Sequence, residues 1–222
     1  SRFSGSTRAE DLGALTVSML EGAEGRQKKE LDKLIRWLKE AYRPDIVHLT
    51  NSMFLGLAGE IKRALNVPVL CALQGEDLFL EGLVEPHRSQ ALRLLKERAA
   101  DVDGFVAPCQ YYADLMEAYL DVSADQIHVV KLGLNLQGHG EDSDPLGETP
   151  FVVGYLARVC PEKGLHLLAD AFYRLTQQSE RGKIRLQVAG YLGQGDRPYF
   201  EEIKKQIDAW GLADVFEYRG EV

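Results

Sequence analysis

The stretch FVVGYLARVCPEKG, residues 151–164, decides the fold of this chain. Its first six residues, Phe151 to Leu156, are mostly large and apolar, which predicts a buried β-strand. Pro161 is predicted at the first position of a helix, where proline is favoured. The apolar residues that follow recur at helical spacing, which predicts an amphipathic helix over 161–177. The stretch is therefore expected to form a strand, a short loop and a helix N-terminus.

Two cations, Arg158 and Lys163, flank the start of this predicted helix. A helix N-terminus carries partial positive charge and unpaired N–H groups, so cations placed there oppose the dipole. An anion between the two cations removes that conflict, and a strand, loop and helix N-terminus form a common phosphate site. The pattern predicts phosphate binding by Arg158 and Lys163, and the alternative is a solvated charged loop.

Composition limits the class of protein. The chain has 222 residues, of which 45% are hydrophobic, and a formal net charge of −8. An acidic surface of this kind argues against a broad nucleic-acid or anionic-membrane partner. No apolar run approaches the roughly 18 residues that cross a bilayer, so no transmembrane segment is predicted, and peripheral membrane contact stays open. Three scattered cysteines indicate neither disulfides nor zinc, so the expected compartment is the cytoplasm.

Short apolar strands alternate with helical patterns, which predicts an α/β fold with parallel sheets and helices on both faces. We expect two Rossmann-like units, over residues 1–135 and 151–222, joined by a glycine-, proline- and acid-rich linker over 136–150. Both units are expected to be incomplete, since the first begins with a helix and the second has only three strands. The predicted strands cover 45–50, 67–73, 104–107, 127–131, 151–156, 184–189 and 215–219, and the helices 27–42, a segment through about 65, 89–100, 109–120, 161–177 and 198–210.

A known family resembles this pattern. Ala157-Arg-Val-Cys-Pro-Glu-Lys-Gly164, with the helical segment 165–172, is similar to the opening of the C-terminal domain of retaining glycosyltransferases of family four, the glycosyl transferases group one, which have the GT-B fold. That family has Gly-Arg-Leu, a proline-containing loop, Lys-Gly and then a helix. Segments 105–112 and 129–135 are similar to parts of its N-terminal domain. The resemblance extends over about 45–222, as in a fragment of such an enzyme.

The resemblance implies an enzyme that moves a sugar from a nucleotide-sugar, such as a UDP- or GDP-sugar, to a carbohydrate or lipid-linked acceptor. It implies retention of configuration and no metal or other cofactor. Arg158 and Lys163 would be catalytic, because fixed cations stabilise the charge that develops on a leaving diphosphate. Gly164 and Gly190 would complete the donor-phosphate site. The paired glutamates of the family would lie beyond Val222, so this fragment alone is expected to be inactive.

The acceptor side is expected at the end of the second strand. Gln74, Gly75 and Glu76 follow that strand, where open α/β sheets bind ligands. An ordinary polar turn is an equally good interpretation. Many family members have a histidine here, whereas Gln74 can hydrogen-bond a sugar hydroxyl but cannot titrate near neutral pH.

Two other functions remain open at this stage. One is a non-catalytic, regulatory module that binds a nucleotide or phosphate through the same loop. The other is a dinucleotide-dependent oxidoreductase, which the reversed glycine order of 190–195 disfavours.

Several further residues are predicted to be structural. His48 is expected in the core and His166 in solvent, while Trp37 and Trp210 are expected to pack against apolar neighbours. Cys160 adjoins the predicted anion site and is interpreted as a small residue in a tight loop.

Overall fold

The structure is a computed structural model that describes residues 9–138, 150–178 and 183–222. Its internal contacts separate Thr7–Asn135 from Leu136–Val222 as compact units. Each unit is described by itself. No helix among the described residues is long and apolar enough to cross a membrane.

The first unit alternates helices with short strands, as its sequence predicts. Its helices are α1 (Ala9–Glu21), α2 (Lys28–Trp37), α3 (Ala58–Leu65), α4 (Asp77–Glu81), α5 (His87–Ala99) and α6 (Gln110–Leu120). Its strands are β1 (Val47–Leu49), β2 (Val69–Ala72), β3 (Gly104–Ala107) and β4 (Ile127–Val129). A π-helical turn, Leu38–Tyr42, extends α2, and Arg43 ends it in the left-handed conformation just before Pro44.

The four strands of the first unit form a parallel sheet in the order β1-β2-β3-β4. One face of the central strands is fully buried, since Val69, Cys71, Phe105 and Ala107 are all inaccessible to solvent. On the other face Leu70 and Val106 are partly buried. The prediction of a core histidine is wrong, because His48 is exposed. It lies on β1, which pairs only with β2 among the described strands and so lacks a neighbour on one side.

The first helix, α1, was not expected from the sequence pattern. It packs against α5 and the turn over Ser52–Leu57, and its Leu20 is fully buried. Trp37 is half exposed and contacts the Tyr42 ring at 5.1 Å, so its packing is local.

The second unit contains β5 (Phe151–Leu156), α7 (Leu165–Thr176), β6 (Ile184–Ala189), α8 (Arg197–Ala209) and β7 (Phe216–Tyr218). Its three strands are parallel, in the order β5-β6-β7. Tyr155 and Val188, which pair across β5 and β6, pack in one core with Leu165 of α7 and Phe200 of α8. Both described helices therefore cover the same face of this sheet, rather than opposite faces as expected.

The other face of the second sheet is open among the described residues. The strand over 151–156 is confirmed, but its predicted burial is wrong, since Leu156 is 77% exposed and Val152 is 43% exposed. The strand is exposed because of its place in the sheet. Among the described strands β5 pairs only with β6, and the side chains on its open face contact no described helix. Trp210 is a packing residue as expected, and it stacks on Tyr173 at 4.5 Å.

Candidate functional site

The loop between β5 and α7 is built differently from the prediction. Pro161 begins a single 3-10 turn, Pro161–Lys163, and Gly164 follows with a left-handed φ of 72°. The α-helix begins only at Leu165. Since glycine adopts the left-handed conformation without steric cost, Gly164 ends the turn and redirects the chain into the helix. Lys163 therefore belongs to the turn and not to the first turn of α7.

The N-terminus of α7 is partly occupied by a tyrosine of α8. The Tyr199 hydroxyl accepts a hydrogen bond from the main-chain N–H of His166 at 3.1 Å and lies 2.8 Å from its Nδ1. His166 is partly buried, so its predicted exposure to solvent is wrong. This cap leaves fewer free N–H donors at the helix N-terminus than the sequence predicts. The local sequence does not indicate the cap, because Tyr199 lies 33 residues away.

Arg158 is fixed through both its main chain and its side chain. Its carbonyl oxygen accepts a hydrogen bond from the Tyr155 hydroxyl at 3.0 Å, and its Nε donates to the Cys160 sulfur at 3.3 Å. The hydrogen bond with Cys160 is the largest cause that raises the pKa of Arg158, and the charges of Glu162 and Asp196 add to it. The guanidinium is therefore held firmly in its charged form while it stays exposed.

The two cations of this loop, Arg158 and Lys163, have no described carboxylate close enough to neutralise their charge. Within the ranges that the structure describes, neither forms an ion pair with a carboxylate. Both lie on one loop at the carboxyl end of β5 and both are exposed. Both cations are thus accessible from solvent, and phosphate binding by them stays a prediction.

Main-chain hydrogen bonds join this loop to the next one. The N–H of Ala157 donates to the Ala189 carbonyl at 3.2 Å, and the N–H of Val159 donates to the Tyr191 carbonyl at 2.9 Å. The β5–α7 loop therefore continues the ladder of the sheet beyond the end of β5.

Gly190 connects the β6–α8 loop to its neighbours on both sides. Its N–H donates to the Gly220 carbonyl at 2.7 Å, and its carbonyl accepts from the Tyr218 hydroxyl at 2.9 Å. With a φ of 139°, a Cβ at this position would lie 1.9 Å from the Ala157 carbonyl oxygen. Close packing of two loops therefore explains the glycine, and its contact with a donor stays a prediction.

The candidate acceptor-side turn of the first unit is organised by Glu76. This side chain is 5% exposed, and its two carboxylate oxygens accept hydrogen bonds from the main-chain N–H groups of Ser52 at 2.9 Å and Gln74 at 2.6 Å. A carboxylate that is buried and satisfied in this way holds the turn together. The geometry therefore favours the structural interpretation of Glu76 over a direct contact with an acceptor.

Gln74 and Gly75 remain exposed at the same turn. The Gln74 amide donates to the Thr50 carbonyl at 2.7 Å, which leaves its oxygen free to accept. The N–H of Gly75 donates to the Tyr112 hydroxyl at 2.9 Å, and that hydroxyl donates to Asp77 at 2.8 Å. Burial is the largest cause that raises the pKa of Tyr112, and its hydrogen bond to Asp77 adds to it. Tyr112 is therefore neutral, and its hydroxyl links Gly75 to Asp77 within this turn.

The described residues contain no group of three or more His, Cys, Asp or Glu side chains placed to hold a metal ion.

Comparison with protein families identifies both units. The family described as the glycosyl transferase 4-like domain matches residues 6–133, which is more than half of the chain. The chain belongs to the glycosyl transferase 4-like family. The glycosyl transferases group 1 family matches residues 141–222 of the same glycosyltransferase chain. The family predicted from the loop around Arg158 is thereby confirmed.

Solved structures confirm the α/β fold class of GT-B type for this glycosyltransferase chain. The Anabaena protein HepE, crystallised with UDP, is 16% identical with a TM-score of 0.64, and the match covers 95% of this chain and 66% of HepE. The lipopolysaccharide outer core galactosyltransferase WaaB is 18% identical with a TM-score of 0.55, over 89% of this chain and 49% of WaaB.

A third neighbour is the UDP-forming α,α-trehalose-phosphate synthase from Burkholderia xenovorans, which is 15% identical with a TM-score of 0.58. That match covers 88% of the glycosyltransferase chain and 54% of the synthase. The chain thus spans between about half and two thirds of the length of these neighbours. No curated protein is significantly similar to it in sequence.

Proposed function

We propose that the protein containing this chain transfers a sugar from a nucleotide-sugar to an acceptor, with retention of configuration and without a divalent metal. One observation carries the proposal: Arg158 and Lys163 are exposed on one loop of a group 1 glycosyltransferase domain, and neither has a carboxylate partner among the residues that the structure describes. This arrangement is suited to a diphosphate. The fragment alone is expected to bind the donor's diphosphate but not to turn over.

The chemistry explains why two fixed cations would suffice. When the anomeric C–O bond breaks, negative charge develops on the departing nucleoside diphosphate. Positive groups that are already in place stabilise that charge without rearranging during the reaction. Arg158 would contact two phosphate oxygens with its planar fork, and Lys163 would act as a point charge. These charges take the role that a divalent metal has in other phosphate chemistry, which is the basis for proposing metal independence.

The donor we propose first is a UDP-sugar, with a GDP-sugar as the second choice. HepE was solved with UDP and with UDP-glucose, and the trehalose-phosphate synthase is described as UDP-forming, which supports uridine for a chain of the same fold. The acceptor we propose is a carbohydrate or a lipid-linked glycan, and Gln74 and Gly75 are its candidate contacts in the first unit. The three scattered cysteines are consistent with a cytoplasmic reaction.

Binding to the chain itself tests the donor site. We would titrate UDP, GDP and inorganic pyrophosphate in EDTA by calorimetry, with Arg158→Ala and Lys163→Ala as variants. Because each variant removes a charge-assisted hydrogen bond, binding should weaken about tenfold to a hundredfold. Lys205→Ala is the matched control, because Lys205 is an exposed lysine on α8. Unchanged binding by Arg158→Ala would contradict the proposed site.

Transfer and stereochemistry are tested on the longer parent protein. A UDP-sugar with a defined anomer is incubated with acceptor in EDTA, and the product's anomeric configuration is followed by NMR. We expect the donor's configuration to be kept. An inverted product would overturn retention, and turnover that requires added metal would overturn metal independence. Tight phosphate binding with no cleavage of any nucleotide-sugar would favour the regulatory module instead.

A further inference from the structure

Cys160 occupies an unusual position beneath Arg158. Its side chain is 2% exposed, whereas the arginine two residues earlier is exposed. The Arg158 Nε–H donates to the Cys160 sulfur at 3.3 Å. The Cys160 sulfur also lies 3.7 Å from the Arg158 carbonyl oxygen, to which the thiol can donate. Cys160 therefore contacts Arg158 through both its donor and its acceptor.

This contact uses only one part of the guanidinium. Among the described residues, the terminal Nη1 and Nη2 groups of Arg158 have no hydrogen-bond partner, while Nε has one. Since guanidinium is planar, an anchor at Nε restricts rotation of the whole group about its last bonds. The two terminal N–H groups are then presented together, in the geometry that grips two oxygens of one phosphate.

A cysteine anchors the guanidinium without placing a carboxylate beside it. A carboxylate in the same place would also accept from Nε, but it would cancel the positive charge that attracts the diphosphate. The nearest acidic residue of the loop, Glu162, forms no ion pair with Arg158.

We propose that Cys160 is a positioning residue for donor binding, which acts by holding the Arg158 guanidinium with its terminal N–H groups free for the diphosphate. This inference rests on the proposed function. The inference gives Cys160 a role beyond that of a small residue in a tight loop. Cys160 contacts the arginine and not the donor itself.

A double-mutant cycle tests the role. Inorganic pyrophosphate is titrated into the wild-type chain, Cys160→Val and Cys160→Ser, and then into the same cysteine variants in an Arg158→Lys background. Valine keeps the buried volume without an acceptor, and serine restores one. We expect Cys160→Val to weaken binding about threefold to tenfold, the size of one hydrogen bond, and Cys160→Ser to recover most of it. In the Arg158→Lys background the cysteine substitution should have no effect, since lysine has no Nε–H to anchor.

The outcomes separate the two proposals. Equal weakening in both backgrounds, or none in either, would overturn the positioning role while leaving the phosphate site intact. If the wild-type chain failed to bind pyrophosphate, UDP and GDP, the proposed function would fail and this role with it. Thermal melts of each variant identify losses that come from unfolding.

A second measurement tests the hydrogen bond between Arg158 Nε and Cys160 without any ligand. Hydrogen exchange of the Arg158 Nε–H, followed by 15N NMR, should be slower than for exposed arginines and should accelerate in Cys160→Val. Cys109→Ser is the control, since Cys109 is exposed and lies in the first unit. Rapid exchange in the wild-type chain would overturn the anchor.

Discussion

At the scale of single residues, Glu76 shows how one buried carboxylate ties distant segments together. Its oxygens accept from the main chain of Ser52, which follows β1, and of Gln74, which follows β2. Ser52 is itself fully buried. The candidate acceptor turn thus keeps its shape through a residue that does not reach solvent.

Replacing Glu76 by glutamine tests this view. The amide can accept at one atom only, and its NH₂ group would face a main-chain N–H that is left unsatisfied. We expect the free energy of unfolding to fall by about 1–3 kcal/mol, measured by urea denaturation. Glu30→Gln is the control, because Glu30 is exposed and forms an exposed ion pair with Lys33, so this substitution should change stability less. Equal losses in the two variants would contradict the structural role of Glu76.

The sequence could not distinguish these roles at position 76. A carboxylate after a strand suits a ligand site and a turn equally, and the deciding partner, Ser52, lies 24 residues away. The hydrogen bond between Arg158 Nε and the Cys160 sulfur could not be predicted either, because the spacing of residues in the sequence does not indicate the loop geometry that forms it. Arg158 and Lys163 could be chosen as candidates because a helix start was predicted beside them, and the family that their loop indicates is confirmed, while their contact with phosphate stays a prediction.

At the scale of elements, Asp103 joins a helix to a strand in the first unit. Its carboxylate accepts from Lys62 of α3 at 2.7 Å and from the N–H of Val69 at the start of β2 at 2.8 Å. The hydrogen bond with Lys62 is the largest cause that lowers the Asp103 pKa below 3.8, and the bond with Val69 adds to it. The folded state therefore prefers the ionised form.

The sign of the resulting pH dependence follows from this lowered pKa. The stabilisation is complete above the unfolded pKa of about 3.9 and is lost as the pH falls through the lower folded value. Asp103→Asn should therefore be less stable than wild type at pH 7, and the difference should shrink below pH 3.8. Urea unfolding at pH 7, 4 and 3 measures it. A difference that is constant with pH would contradict the ionic contribution.

Gly190 fixes the spacing between two loops of the second unit, which gives another prediction. Gly190→Ala would place a methyl group against the Ala157 carbonyl at an unfavourable φ. We expect a loss of about 3 kcal/mol or more, since steric overlap and backbone strain combine. Gly195→Ala is the matched control, because a Cβ there meets nothing within 4 Å. Circular dichroism melts compare the two variants, and similar melting temperatures would contradict the close approach.

Most elements were predictable because apolar runs of strand length alternate with helical spacing. The strands over 104–107 and 184–189 match the structure at both ends. The start of α7 was misplaced because Pro161 suits a 3-10 turn as well as an α-helix. Gly164, which directly follows Lys163, was the signal that a turn ends there. The exposure of β5 and of His48 depends on which strands are neighbours, and local sequence does not contain that information.

At the scale of the whole molecule, the second sheet presents an apolar strip along an outer strand. Val152 and Leu156 of β5 lie on the face that no described helix covers, and they are 43% and 77% exposed. On the same face, β6 and β7 carry the exposed polar residues Arg185 and Glu217. The open face thus changes from polar to apolar towards β5, where one side of the strand has no described partner.

We predict that the isolated chain associates with itself through this strip. An apolar outer strand with unpaired main-chain groups favours edge-to-edge contact. Leu156→Lys should lower the association, measured by light scattering over a range of concentrations. Leu167→Lys is the control, since Leu167 is 64% exposed but lies on α7. Equal effects of the two substitutions, or a monomer at all concentrations, would contradict this prediction.

The main-chain ladder across the ends of β5, β6 and β7 has a consequence for how specificity changes. Three adjacent loops are joined by the bonds from Val159 to Tyr191 and from Gly190 to Gly220, so their order is established when the domain folds. A ligand of these loops, such as the diphosphate proposed above, would meet a backbone that is already organised. Substitutions of exposed side chains on these loops can then change what the loops contact while the main-chain spacing stays constant. The frame and the side chains that it carries can therefore vary independently of each other.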